Sequence, residues 1–297
     1  MRAILILGGG GQVGTALRHA AWPAGVALHA PSREALDVTD EAAVAAALAE
    51  RAYAAVINAA AYTAVDRAES EVAAAWRLNA LAPAILAAAT ARAGIPLVQV
   101  STDYVFDGSL AGAYPTDAPV NPASVYGASK AGGEMAVRTA NPRHAVVRTA
   151  WVVSPHRANF VKTMLRLAGE RDALRVVDDQ RGCPTSADDL AAALAAIALR
   201  LAEDPAAPGG TYHCVNAGAT TWCGFARAIM AGARARGARA VPVEPIATSS
   251  YPTPARRPAN SELSTATLSR DFGIVPRPWE AALADILDRL IGPVTPA

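Results

Sequence analysis

Along its first half the chain alternates short, unbroken apolar runs with longer Ala-rich stretches whose apolar positions recur at helical spacing. Strands are expected at Ala3–Leu7, Val26–Ala30, Ala54–Ala59, Pro96–Ser101 and His144–Thr149. Between them, helices are expected near Val13–Ala20, Glu41–Arg51, Glu69–Ala93 and Val125–Thr139. A strand covered by helices on both faces has no polar side to show, so this alternation predicts βαβ units and a parallel sheet. The expected class is α/β, a doubly wound parallel sheet.

After Trp151 the alternation loosens. Ser186–Leu201 reads as a helix, Thr211–Asn216 as a strand and Trp279–Leu290 as an amphipathic end, while prolines gather between Val241 and Asn260. Residues 1–150 are therefore expected to form the sheet domain, with the helix near 186–202 returning to it. Residues 151–297 are expected to form a smaller α/β lobe over the strand ends.

Composition narrows the partners. With 297 residues, 52% of them hydrophobic, the chain can bury a substantial core. A formal net charge of +1 gives no long-range field, so neither nucleic acid nor an anionic membrane is an expected partner, and an anion must be held by local groups. Lys130 and Lys162 are the only lysines. In a chain that otherwise uses arginine, a lysine marks a place where a compact, titratable ammonium matters. Cys183, Cys214 and Cys223 form no C-x-x-C pair and read as reduced, buried thiols. The five apolar residues after Arg2 are too few for a signal peptide. The longest Ala/Leu run, Leu190–Ala202, contains Arg200 and falls short of a membrane span, so a cytoplasmic location is expected.

The stretch LGGGGQVGTAL sets Gly8, Gly11 and Gly14 directly after the first strand and at the mouth of a helix. Glycines there permit a tight turn and let the backbone approach a pyrophosphate, which sits on the free amides of the helix N-terminus. This strand, turn and helix predict a Rossmann-type dinucleotide site. The G-x-x-G-x-x-G spacing resembles the extended short-chain dehydrogenase/reductase superfamily. Where an acidic residue would bind the ribose of NAD, the second strand ends in His29, followed by Ser32 and Arg33. A hydroxyl and a guanidinium suit a 2′-phosphate, so NADPH is the expected cofactor, with NADH the alternative.

Tyr126 and Lys130 lie four apart in VYGASKAGGE, on one face of a helix. A nearby ammonium favours the phenolate, and Lys130 is expected to draw the phenol toward the working range. In VQVSTDYVFDG, an apolar strand ends at Ser101, Thr102 and Asp103, where parallel sheets bind ligands. The Thr102 hydroxyl is placed there to meet the carbonyl oxygen that Tyr126 protonates. Thr102, Tyr126 and Lys130 match the short-chain reductase catalytic pattern.

Longer stretches carry a closer resemblance. INAAAYTAVDRAES, STDYVFDG, RTAWV, NFVKTMLRLA, QRGCPTSADDLA, TTW and YPTPARRPANS together resemble the dTDP-4-dehydrorhamnose reductase family over nearly the whole chain. The resemblance implies reduction of dTDP-4-dehydro-6-deoxy-L-mannose, a dTDP-linked 4-keto sugar, to dTDP-L-rhamnose. It implies dinucleotide contacts from the glycine loop with Gln12 and Val13, from Asp37 and Val38, and from Ala61, Tyr62 and Thr63. Sugar-nucleotide contacts are implied for Thr102, Asp103 and Trp151. Asp103 is an acceptor for sugar hydroxyls, and the Trp151 indole can pack on a pyranose or donate its N–H. Arg256, beside Arg257, is a candidate for the diphosphate.

Departures from related patterns shape the rest. Tyr104 stands where 4,6-dehydratases carry the Glu of Thr-Asp-Glu, so elimination lacks its second carboxylate. Some family members dimerise around Mg²⁺ held by glutamates; here Ala16 and Arg289 occupy such places, and Asp188 is the one candidate to substitute for a third ligand. A hard cation wants several oxygens, so no metal is expected, and a homodimer is left open. Two other readings stand beside the reductase: another nucleotide-sugar 4-ketoreductase or epimerase, and a non-catalytic regulator resembling the regulatory subunit of methionine adenosyltransferase. The joint presence of Thr102, Tyr126 and Lys130 favours an enzyme.

Overall fold

Both-sided burial explains the unbroken strands. In the computed structural model, which describes residues 2–294, β1 (Arg2–Leu7) is buried at every position after Arg2. The remaining strands are β2 (Val26–His29), β3 (Tyr53–Asn58), β4 (Leu97–Thr102), β5 (His144–Thr149), β6 (Val152–Val153), β7 (Leu174–Val177), β8 (Arg181–Gly182), β9 (Thr185–Ser186), β10 (Gly210–His213), β11 (Thr220–Thr221) and β12 (Val243–Ile246). The helices are α1 (Gln12–His19), α2 (Glu41–Glu50), α3 (Val65–Ala68), α4 (Val72–Trp76), α5 (Ala82–Arg92), α6 (Val125–Ala140), α7 (Phe160–Glu170), α8 (Ala187–Glu203), α9 (Trp222–Ala235), α10 (Ala266–Phe272) and α11 (Trp279–Leu290).

Six strands form the central sheet in the order β10-β5-β4-β3-β1-β2, and every neighbouring pair is parallel. Successive residues of a strand face opposite sides, so Ile4 and Ile6 pack with α1 and α8, while Leu5 and Leu7 pack with α2 and α5. The sixth strand comes from beyond residue 150: β10 pairs with β5, Tyr212 opposite Val147 and His213 opposite Arg148. Its place follows from α8, which packs on α1 and the sheet and so delivers the chain to the β5 edge.

α4 and α5 are joined by a π-helical turn, Arg77–Leu81. The resulting Val72–Arg92 run has 21 residues, and an 18-residue stretch of it has a mean hydropathy of 1.4, long and apolar enough to cross a membrane. Here Ala82, Leu86 and Ala89 pack into the sheet core.

α7, α9 and α11 surround a second core with Phe225, Ile229, Leu283 and Ile286 at its centre. A third cluster, with Val105, Phe106, Tyr114, Cys183, Val215 and Leu263, joins the segment after β4 to later parts of the chain. The three cysteines are buried and unpaired, as expected of reduced thiols.

Candidate functional site

The Thr102 hydroxyl ends β4 by accepting the Tyr104 N–H at 3.3 Å, which caps a single 3₁₀ turn, Asp103–Val105. The apolar run then resumes because Val105 and Phe106 enter the third cluster. α6 begins against this turn: a side chain at Gly127 would start 2.1 Å from the Tyr104 carbonyl oxygen, so only glycine lets the helix come this close. Ser124 caps α6 by accepting the Gly127 N–H at 3.2 Å. Close docking of the helix start on the strand end brings Tyr126 to Thr102.

Burial pushes the Tyr126 phenol up to about 12, against a hydrogen-bonding interaction with the Thr102 hydroxyl that lowers it. Lys130 lies one helical turn beyond Tyr126. Its ammonium is buried and donates to the Val100 carbonyl at 2.7 Å, turned to the β4 backbone. Burial lowers Lys130 to about 8, offset in part by the Glu134 carboxylate one helical turn on.

Asp103 is 2% exposed. Its Oδ1 accepts the Thr102 hydroxyl at 2.8 Å, and its Oδ2 has no partner. Burial raises its carboxyl to about 6, while the Thr102 and Ser261 hydroxyls pull it back. The Thr102 hydroxyl proton is here given to Asp103, and the same oxygen accepts the Tyr104 N–H.

The glycine loop has the shape expected of it. Gly8 has φ +78°, and a side chain at Gly14 would start 2.1 Å from the Gly8 carbonyl oxygen, inside the turn. Gly11 precedes α1 and gives it no side-chain cap, which leaves the first-turn amides to an anion. Gln12 turns the other way: its Oε1 accepts from Ser154 Oγ at 2.8 Å and from Asn159 Nδ2 at 3.0 Å, across to the segment before α7.

At the end of β2, the His29 ring stacks on Tyr53 and bonds the Tyr53 hydroxyl through Nδ1. Ser32 and Arg33 are exposed, and among the described residues Arg33 makes no ion pair. Asp37 accepts the Thr39 N–H at 2.9 Å and its hydroxyl at 2.8 Å, which holds the carboxyl below the usual range; Val38 is buried. Ala61, Tyr62 and Thr63 follow β3. Asn79, in the π-helical turn, accepts the Tyr62 N–H at 2.8 Å and donates to the Tyr62 carbonyl at 3.1 Å and to Ser129 at 3.0 Å.

Trp151 has φ +46° and stacks on Trp222 with ring centroids 3.5 Å apart, so one indole face is already covered. Arg256 is exposed, whereas Arg257 grips Asp66 through both terminal nitrogens at 3.0 and 2.8 Å. Arg289 donates to Asp188 at 2.5 Å, an ion pair where the family comparison raised a metal. A cavity of about 330 Å³ between α8 and Ile274–Arg277 is lined by none of the candidate catalytic, cofactor or sugar residues.

Several groups escaped the sequence reading. Glu134 accepts from Ser101 at 2.6 Å and from Arg148 Nε and Nη2 at 2.8 Å each, deep beneath Thr102 and Lys130. Arg148, directly after the apolar Ala145–Val147 run of a strand expected to be buried on both faces, was the available signal, because a buried arginine needs a partner.

Residues 1–291 match the family model described as RmlD substrate binding domain. The dTDP-4-dehydrorhamnose reductase of Sinorhizobium fredii is 42% identical over 278 residues, covering 93% of this chain and 94% of the relative. This chain belongs to the dTDP-4-dehydrorhamnose reductase family. It is thus a member of an oxidoreductase family, and its Rossmann-type α/β fold is the family's. The crystal structure of a dTDP-4-dehydrorhamnose reductase from Clostridium acetobutylicum is 38% identical with a TM-score of 0.90, covering 97% of this chain and 99% of that one. The Bacillus anthracis dTDP-4-dehydrorhamnose reductase, solved in complex with NADP, is 33% identical, also with a TM-score of 0.90, covering 97% and 100%.

Proposed function

We propose that the chain reduces dTDP-4-dehydro-6-deoxy-L-mannose to dTDP-L-rhamnose with NADPH, Tyr126 giving the proton to the C4 oxygen. The close docking of the α6 start on the end of β4, with Gly127 against the Tyr104 carbonyl and the Tyr126 ring 5.5 Å from that of Tyr104, carries this reading by setting the phenol beside Thr102. Gly8 and Gly14 leave space that any side chain would fill, and the uncapped start of α1 presents amides; both fit a dinucleotide pyrophosphate. Bound NADPH supplies the hydride that reduces the carbonyl carbon.

A reductase needs its acid protonated before reaction. Burial does this for Tyr126, whose phenol at about 12 is neutral throughout the physiological range. Lys130 places a positive charge under the same helix face, where it favours the phenolate as the proton leaves. Thr102 orients the phenol, and its hydroxyl is released toward the ketone when Asp103 is protonated. Asp103 and the exposed edge of the Trp151–Trp222 stack are assigned to the sugar, Arg33 and Ser32 to the 2′-phosphate. The test is oxidation of NADPH by the purified protein with dTDP-4-dehydro-6-deoxy-L-mannose and formation of dTDP-L-rhamnose. Absence of turnover with folded protein removes the reading.

A further inference from the structure

Arg157 is one of only two non-glycine residues in the left-handed region among the described residues, with φ +58°. A side chain there costs on the order of 1–2 kcal/mol. The conformation is held from outside: Asn159 Nδ2 donates to the carbonyls of Ser154 at 2.7 Å, His156 at 3.2 Å and Arg157 at 3.5 Å. Glycine would sit here without strain, so the arginine side chain must do something glycine cannot.

What it does is reach the glycine loop. Arg157 Nε donates to the Gly10 carbonyl at 2.8 Å, and Nη2 lies 3.5 Å from where a side chain at Gly10 would begin. Gly10 stands two residues before the uncapped N-terminus of α1. Among the described residues Arg157 is in no ion pair, so its charge is unspent. Two other cations near the dinucleotide path point elsewhere. Lys130 is committed to β4, and the Arg18 stem packs on Gly9, next to Ala30 at the end of β2. A pyrophosphate carries more charge than the partial positive charge of a helix end. With a net charge of only +1, the chain must supply the balance locally.

We propose that Arg157 binds the pyrophosphate of the dinucleotide, clamping it against the glycine loop from the segment that leads into α7. This rests on the reading of that loop as a dinucleotide site. A guanidinium fixed at Nε presents its terminal N–H groups as a preset fork, the geometry that suits phosphate oxygens. Because the pyrophosphate is common to both cofactors, Arg157 contributes equally to NADPH and NADH. In this it differs from Arg33, assigned to the 2′-phosphate.

The informative variant is Arg157→Gly, which removes the cation and relieves the backbone. Dissociation constants for NADPH and NADH are measured calorimetrically without sugar substrate, at low and high salt, alongside the melting temperature without ligand. The expected result is about tenfold weaker binding of both cofactors, a shallower salt dependence, and a melting temperature equal to or above that of the wild type. Arg157→Lys is expected to retain part of the affinity. Wild-type affinity in Arg157→Gly overturns the proposal, as does a loss confined to NADPH. If the wild type binds neither dinucleotide, the cofactor reading itself fails; binding by wild type and variant alike defeats Arg157 alone.

Discussion

The Thr102 hydroxyl donates to Asp103 Oδ1 at 2.8 Å, while the second oxygen of that carboxylate is buried without a partner. An ionised Asp103 is therefore a cost to the fold, and its carboxyl rises to about 6. A folded-state pKa above the unfolded value means that stability is fully present below the unfolded value and is lost as pH rises through the folded one. The window runs from 3.8 to about 6. The corresponding penalty above it is about 3 kcal/mol. Asp103→Asn keeps the acceptor for Thr102 and removes the charge. It is expected to raise the melting temperature at about pH 7.5 and not at about pH 3, below the window. Equal melting curves for wild type and variant at both values count against the buried charge.

Tyr126→Phe deletes the proposed proton donor without changing the ring. Loss of a general acid reduces kcat by about 100-fold or more. Cofactor affinity is expected to stay near that of the wild type, because the phenol faces Thr102 at the end of β4. Stopped-flow NADPH oxidation and separate cofactor titration check the two halves. Undiminished turnover removes Tyr126 from the mechanism.

Lys130 predicts an alkaline limb. Burial lowers its ammonium to about 8, so the charge beneath Tyr126 is lost above that pH, and activity is expected to decline there. The linkage has the opposite sign to that of Asp103: a depressed lysine makes the protonated form costly, and its contribution to stability grows as pH rises from about 8 to 10.5. Lys130→Arg keeps a charge at every accessible pH and should flatten the limb while lowering the maximum rate. A limb unchanged in this variant assigns it to another group.

Legibility followed sequence distance and spacing. β1 to β5 were readable because strands buried on both faces are unbroken apolar runs, and the glycine loop and Tyr126–Lys130 pair because they are short fixed spacings. β10 was assigned to the second lobe because a strand carrying Tyr212 and His213 does not announce which sheet edge it joins; only the packing of α8 decides that. The direction of Lys130 was missed for a local reason: helical spacing fixes the face of a side chain, whereas the Val100 carbonyl fixes where its end goes. Links such as Ser154 to Gln12, 142 residues apart, leave no periodic trace at all.

Arg33→Ala tests cofactor choice. The side chain is exposed and in no ion pair among the described residues, so its removal is expected to cost little stability. KM for NADPH should rise about tenfold with KM for NADH unchanged, as for loss of a charge-assisted contact to a single phosphate. Equal effects on the two cofactors remove Arg33 from the 2′-phosphate.

The Arg148–Glu134 pair carries the last expectation. Both side chains are almost fully buried, at 2% and 1% exposure, with Nη2 and Oε2 2.8 Å apart. Removing one partner of such a pair leaves a charge in low dielectric and costs about 3–5 kcal/mol. Arg148→Met does this, although Glu134 keeps Arg138 at 2.7 Å and Ser101 at 2.6 Å, so the loss is expected at the lower end of that range. Ser101 precedes Thr102, and Glu134 lies one helical turn beyond Lys130, so the same loosening reaches both. The double variant Glu134→Gln with Arg148→Met removes both charges and is expected to recover part of the stability in urea denaturation. Strict additivity of the two single effects means that the ion pair is not coupled. The rise in Lys130 that Glu134 supplies disappears in Glu134→Gln, so the alkaline limb of activity should move to lower pH in that variant.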